Sequence, residues 1–318
     1  MSTMTDISNS TAAWNDYQKV AAGTDDYLGR LIILTVHQGL ADRQGFNDAL
    51  TAAGLDKKHH VKRSAETDVF RKVTSSINNQ TVDLTSGDRA RLLLVPIANS
   101  GDRLVRRIVV EVLNSNDERL SYTECCDVVF DRDTGVIAVE HLATMWTAPT
   151  EAREAALDVA GTVDGEFRYR RQMIDADGLR SAVVKVLRSL LCVTVKESGG
   201  VYFVPESQAS TVEALSDATD GFPTVRFHVV PLLDDPKQRA LVTEAIEDEI
   251  TAACDALLAE ATKEADAGSL SARRRASILS RQAEMVSKLE DYKGRLGDDL
   301  SKASTRLRLV QMQMAAFA

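Results

Sequence analysis

The stretch "LSRQAEMVSKLEDYKGRLGDDLSKASTRLRLVQMQM", Leu279 to Met314, carries a repeat on which the reading of the fold turns. Leu279, Val286, Lys293, Leu300, Leu307 and Met314 recur every seven residues, and Leu289, Leu296, Ala303, Val310 and Phe317 form a second row between them. Two interleaved rows sustained over about five heptads are the pattern of a coiled coil, in which an apolar residue must return to one face every three or four positions. Gln282 and Lys293 are the polar seam positions, which set register while lowering stability. Gly294 and Gly297 mark the point where the helix is weakest.

Upstream, from Pro236 onward, Ala, Leu, Glu, Lys and Arg dominate, with no further proline and three glycines. Ile246, Ile250, Ala253, Leu257 and Ala261 form an earlier seam, interrupted by "DAGSLSA". Residues 236–318 are therefore expected to form a helical hairpin or coiled coil. Its seam of Leu279, Val286, Leu289, Leu296, Leu300, Leu307, Val310 and Met314 is longer than the first helix covers, which leaves part of it for a second copy or a partner protein.

The remaining chain reads as an α+β body over residues 23–235, preceded by a Ser/Thr/Asn-rich tail over 1–22. "TDDYLGRLIILTVHQG" offers Thr24 as an N-cap, two aspartates in its first turn and Gly39 as a stop, so a helix is expected there. Two more small helices are expected within 40–78, on the stripes of Phe46 and Leu50 and of Val69, Phe70, Val73 and Ile77. From Ala90 the period becomes two: four alternating or β-branched runs, parted by "NSGD", "NSNDE" and "DRDTG", make an antiparallel meander over 90–142. Over 147–232 a helix is expected from Thr147, then a helix with Leu179, Val183, Val186, Leu187 and Leu190 that feeds a hairpin turning at Gly199-Gly200. A short helix and a strand, "TVRFHVVPLL", follow.

The chain of 318 residues has 44% hydrophobic and 27% charged residues, which excludes global disorder and leaves it able to bury a core without metal or disulfide. Cys125, Cys126, Cys192 and Cys254 have no ligand or disulfide spacing and read as reduced, buried thiols. No leader and no apolar run of membrane length is visible, so the expectation is a cytoplasmic protein with no membrane partner. A net charge of −9 opposes indiscriminate binding to nucleic acid.

No local motif of catalysis stands out. Gly199-Gly200 precedes strand formers, whereas a phosphate loop precedes a helix, so the pair reads as a turn. "DRDTG", Asp131 to Gly135, resembles half a calcium loop but puts Leu142 where the twelfth-position glutamate belongs. The five histidines, His37, His59, His60, His141 and His228, show no ligand spacing, and no metal or cofactor is expected. The leading expectation is a non-enzymatic scaffold, adaptor or assembly subunit acting through 236–318. The alternative is a nucleic-acid-binding protein in which "DGLRSAVVKVLRSLLCVTVKESGGVYFVP", Asp177 to Pro205, forms a winged-helix-like segment. Its phosphate contacts are then Lys57, Lys58, Lys62 and Arg63 in a basic loop, Arg180, Lys185 and Arg188 on the helix, and Arg273, Arg274 and Arg275. An enzyme whose site is assembled only by the fold ranks third.

The segments "VFRKVT", "GGVYFVP" and "VVPLLDD", set in that order before a helical C-terminal third, resemble an uncharacterised family of phages and bacterial mobile elements. The resemblance covers the chain from about Leu28 and implies an α+β body with a C-terminal coiled coil. It implies no activity and carries over no catalytic residue.

Overall fold

The computed structural model describes residues 26–196, 199–266, 272–296 and 300–316. It is a mixed α+β structure with antiparallel sheets, in two compact units. One unit is discontinuous, taking the chain up to Ala41, Gly45–His60 and everything from Asp175. The other, comprising Asp42–Gln44 and Val61–Ile174, is inserted within it. These units are drawn differently from the expected body over 23–235 and helical segment over 236–318; the 1–22 tail lies outside the described residues.

In the discontinuous unit, β1 (Tyr27–Val36) is a strand where local signals suggested a helix. Ile32, Leu34 and Val36 are buried while Ile33 and Thr35 are exposed, the period of two that a pleated strand requires. The cap-like Thr24 and Gly39 are outweighed because β1 pairs along both edges, with β10 (Val201–Pro205) from Gly29 to Ile33 and with β11 (Val225–Leu233) from Tyr27 to Val36. Caps contribute about 1 kcal/mol each, whereas a ladder along the whole strand with β11 and a second over Gly29–Ile33 with β10 satisfy most backbone groups of a strand rich in β-branched residues. β9 (Val193–Lys196) completes the antiparallel sheet in the order β11-β1-β10-β9. The hairpin expected to be a free wing is thus half of a four-stranded sheet. Two short strands, β2 (Leu40–Asp42) and β8 (Met173–Asp175), lie where the chain passes from one unit to the other.

α1 (Arg43–Ala52) contributes Phe46 and Leu50 to the core. α4 (Ala176–Ser189), capped by Asp175 accepting from the Gly178 N–H at 2.9 Å, and α5 (Ala209–Asp220) pack on β1. The C-terminal third is three helices rather than a hairpin: α6 (Pro236–Asp266), α7 (Ala272–Leu296) and α8 (Ser301–Ala316). Their cluster includes Val242, Ile246, Ile250, Cys254, Leu257 and Ala261 of α6, Ile278, Leu289, Tyr292 and Leu296 of α7, and Ala303, Leu307 and Val310 of α8, with Leu300 at its start. Leu28, Val193 and Phe203 of the sheet complete it.

The heptad seam therefore meets the protein's own helices. Leu289, Leu296, Leu300, Leu307 and Val310 are buried, whereas Leu279 and Lys293 are exposed and Val286 is half-buried. The buried row of α7 is the neighbouring one through Ile278, Gln282, Leu289, Tyr292 and Leu296. Glu247 of α6 caps α8, its carboxylate accepting from the Lys302 N–H at 3.0 Å, where the helix dipole favours an anion. The side chain of Met314, with Gly297 and Phe317, lies outside the described residues.

In the inserted unit, β3 (Gln80–Asp83), β4 (Arg89–Ser100), β5 (Arg103–Leu113), β6 (Arg119–Asp131) and β7 (Ile137–His141) form the expected meander, extended by β3. α2 (Glu66–Ser76) and α3 (Thr150–Arg170) cover one face. Ala152, Ala156 and Ala160 recur every four residues, so α3 approaches the sheet closely, and Phe70, Phe130 and Phe167 stack in sequence at 5.4 Å spacings. The opposite face carries ion pairs set directly across strands. Glu111, 1% exposed, is held by Arg91 and Arg119, and Arg107 grips both oxygens of Asp127 at 2.7 Å and Glu124 at 2.8 Å. The calcium-like "DRDTG" is the β6–β7 turn, in which the Asp131 carboxylate accepts from Thr134 N–H and hydroxyl, both at 2.8 Å.

Gly200 sits at φ +66°, and a Cβ there would stand 2.3 Å from the Leu34 carbonyl oxygen of β1. Gly200 also accepts the Leu34 N–H at 2.8 Å, so neither backbone can withdraw without losing that bond. Gly200→Val is expected to destabilise the protein by about 2 kcal/mol or more, read as a lowered denaturation midpoint with unchanged slope. A midpoint within error of the parent would show that the turn does not bear on β1.

Candidate functional site

Within the discontinuous unit, α4 ends in an unusual way. Leu191 N–H bonds to Arg188 C=O at 3.3 Å and Cys192 N–H to Leu187 C=O at 3.2 Å, the paired bonds of a Schellman ending. Its left-handed position, where glycine is usual, is taken by Leu191 at φ +60°. A leucine there stores about 1 kcal/mol of strain, and the surrounding side chains hold it. Tyr292 Oη donates to Leu191 C=O at 2.6 Å, and Lys288 Nζ donates to Cys192 C=O. Lys288 also pairs with Glu249, whose second oxygen accepts the Thr194 N–H at 2.7 Å. α7 thus fixes the strained turn through two hydrogen bonds, and α6 supports them through Glu249, which holds both Lys288 and Thr194.

Beside this turn lies a cleft of 670 Å³. Leu257 and Cys192 are buried in its wall, Leu191, Ala253 and Met285 are half-buried, and Ala256 stands at its mouth. Arg188, Arg281, Glu284 and Lys288 ring it. A mostly apolar concavity of this size with a few convergent charges is the form that ligand and side-chain pockets take. Arg281 is engaged by Glu260, whereas Arg188 is exposed and meets no carboxylate among the described residues. Burial pushes the Cys192 thiol up to about 12 and raises the Tyr292 phenol well above its ordinary value. A thiol so protonated is a poor nucleophile at neutral pH.

The cations singled out in the sequence are dispersed. Lys58 and Lys185 are neighbours, Lys185 Nζ donating to Lys58 C=O at 2.8 Å, while Asp56 pairs with Lys58. His59, between them in sequence, turns inward: it is 6% exposed, and desolvation lowers its pKa. Arg180 donates to Val36 C=O, and Arg274 pairs with Glu260. Arg63 pairs with Glu66 in the inserted unit, to which Lys62 also belongs; Lys57 and Arg273 are exposed, and Arg275 Nε is a buried donor without a partner. The four cysteines are buried and unpaired. No group of three or more His, Cys, Asp or Glu side chains is placed to hold a metal among the described residues. None of the helices searched is long and apolar enough to cross a membrane.

A family described as one of unknown function, DUF6744, matches residues 27–318. The chain belongs to the DUF6744 family. The match begins at Tyr27, the first residue of β1, and spans both units. No curated protein and no solved structure matches the chain significantly.

Of the cleft, the sequence identified Arg188 as a contact and Ala253 and Leu257 as seam. It gave no sign of the Leu191 turn, because a leucine at a helix end carries none of glycine's meaning. The Cys192 and Tyr292 protons make stability depend on alkaline pH. Both groups stay neutral when folded but ionise near 9.0 and 10.0 when unfolded, so stability is full below pH 9 and falls as pH rises toward about 12. Tyr292→Phe is expected to cost about 1–2 kcal/mol near neutrality by leaving the Leu191 carbonyl unmatched. It should also flatten the decline above pH 10, and parallel pH profiles for variant and parent would refute the assignment.

Proposed function

We propose that this DUF6744 protein is a non-enzymatic adaptor or assembly subunit that receives a partner protein in the cleft between α4, α6 and α7. The observation that carries the reading is the pairing of an apolar floor, Leu191, Leu257 and Met285, with the uncompensated Arg188 at the rim. That pairing suits a partner segment presenting an apolar side chain beside a carboxylate. The strained Leu191 turn supports the reading, because backbone held in a costly conformation concentrates at binding sites. The contact surface differs from the one the heptads suggested, since Leu289, Leu296, Leu300 and Leu307 already fill the protein's own core. The setting we assign, a phage or bacterial mobile element, rests on the resemblance of "VFRKVT", "GGVYFVP" and "VVPLLDD". A second reading, nucleic-acid binding, rests on the adjacent cations Lys58 and Lys185.

A photo-cross-linking residue at the exposed Ala256 is expected to yield one discrete protein adduct in cells, lost when Met285→Glu places a charge in the cleft. An adduct at twice the chain's mass identifies a second copy as partner. Absence of any adduct, with light scattering showing a monomer at micromolar concentration, removes the adaptor reading. For the second reading, binding to a DNA duplex should weaken with rising salt and weaken again in Lys58→Gln/Lys185→Gln; no retardation at low salt removes it.

A further inference from the structure

At the tip of the β4–β5 hairpin in the inserted unit, Arg71, Arg106 and Arg132 lie near one another's elements, and of these only Arg71 pairs with a carboxylate, Asp68, among the described residues. Arg71 of α2 and Arg132, just past β6, both donate to a single acceptor, Asn99 Oδ1, at 3.2 and 2.7 Å. Two guanidinium groups sharing one amide oxygen lie within a few ångströms of each other, and like charges so placed repel. Arg106 of β5 is a third. It projects from the same face as Leu104 and Ile108, since strand side chains alternate, and it is half-buried.

Arg106 meets no carboxylate among the described residues. Desolvation lowers its pKa, and the charge of Arg71 lowers it further. An arginine normally enters such surroundings with a carboxylate or phosphate to receive its fork of donors. The nearby acids do not meet that need. Asp68 accepts from Arg71 Nη1 at 3.1 Å, and the Asp131 carboxylate is taken by its own turn. Arg132 Nε adds a buried donor that has no acceptor. A recess of 360 Å³ lined by Ser64, Ala65, Asp68, Arg71 and Lys72 shares only Arg71 with this cluster.

The geometry points to a phosphate-binding site formed by Arg71, Arg106 and Arg132 around the Asn99 amide. A tetrahedral oxyanion presents several acceptor oxygens at once, accepts from planar guanidinium forks in pairs, and offsets the repulsion of Arg71 with Arg132 at Asn99 and of Arg71 with Arg106. Asn99 acts as the spacer that holds two of the arginines apart and aimed in the absence of the anion. This site is separate in chain and chemistry from the cleft of the discontinuous unit, so the two readings stand or fall independently.

The test uses the full chain in phosphate-free buffer. Inorganic phosphate is expected to raise the melting temperature progressively, above the effect of chloride at equal ionic strength. Adenosine monophosphate is the second probe: an affinity equal to that of inorganic phosphate assigns the site to the free ion, and a tighter one assigns it to a phosphate carried on an organic group. Arg106→Gln is expected to weaken phosphate about tenfold, the loss of one charge-assisted pair. In phosphate-free buffer the same variant is expected to be at least as stable as the parent, because it removes a desolvated cation beside Arg71. No phosphate-specific stabilisation of the parent overturns the site. So does an Arg106→Gln protein that binds phosphate undiminished, or one that is less stable or unfolded without phosphate, which would make Arg106 a structural residue.

Discussion

β1 is bonded along both edges, and this two-sided ladder is the constraint on which the discontinuous unit is built. Its neighbours come so near that side chains are excluded at two points: a Cβ on Gly29 would stand 2.2 Å from Val204 O, and one on Gly200 would strike Leu34 O. With β1 and β10 locked at that separation, Phe203 and Val193 are delivered to α6, α7 and α8, and Phe203 lies 6.3 Å from the Tyr292 ring. Tyr292 in turn holds the Leu191 carbonyl. The wall of the cleft is therefore set by strand pairing as much as by helix packing.

How far the sequence discloses this depends on the range over which each signal acts. The meander is legible because its strands pair with their immediate successors, and Arg91 opposite Glu111 or Arg107 opposite Asp127 only reinforces a register that turns already impose. β1 is misleading for the opposite reason. Thr24, the two aspartates and Gly39 are local helix signals, while the partners that make "LIILTV" a strand follow only after Lys196. The heptads are legible as a stripe that must be covered, but periodicity does not say by what. On α7 the buried row runs through Ile278 and Leu289, beside Leu279 and Val286, and α6, α8 and the sheet of the same chain share its cluster.

Both candidate sites were beyond local reading because each is made of residues unremarkable alone. The cleft needs a leucine in a left-handed turn, a lysine one helix away and a methionine beside it. The arginine cluster needs an asparagine at a hairpin tip to face a helix and the end of another strand. Neither has a spacing, and both exist only after long-range packing. The glycine pair at 199–200 is the reverse case, since its meaning as a turn is fixed by the strand formers that follow it.

The insertion of one unit within the other has a consequence for synthesis. Residues 61–174 are continuous, so that unit can close on itself once α3 has left the ribosome. β1 is made before all of it, yet both of its partners are made after it. During that interval a ten-residue apolar strand stands with two open edges, the form most prone to pair with another chain. Until β10 and β11 are made, β1 is therefore the segment of this unit whose open edges most favour pairing between chains.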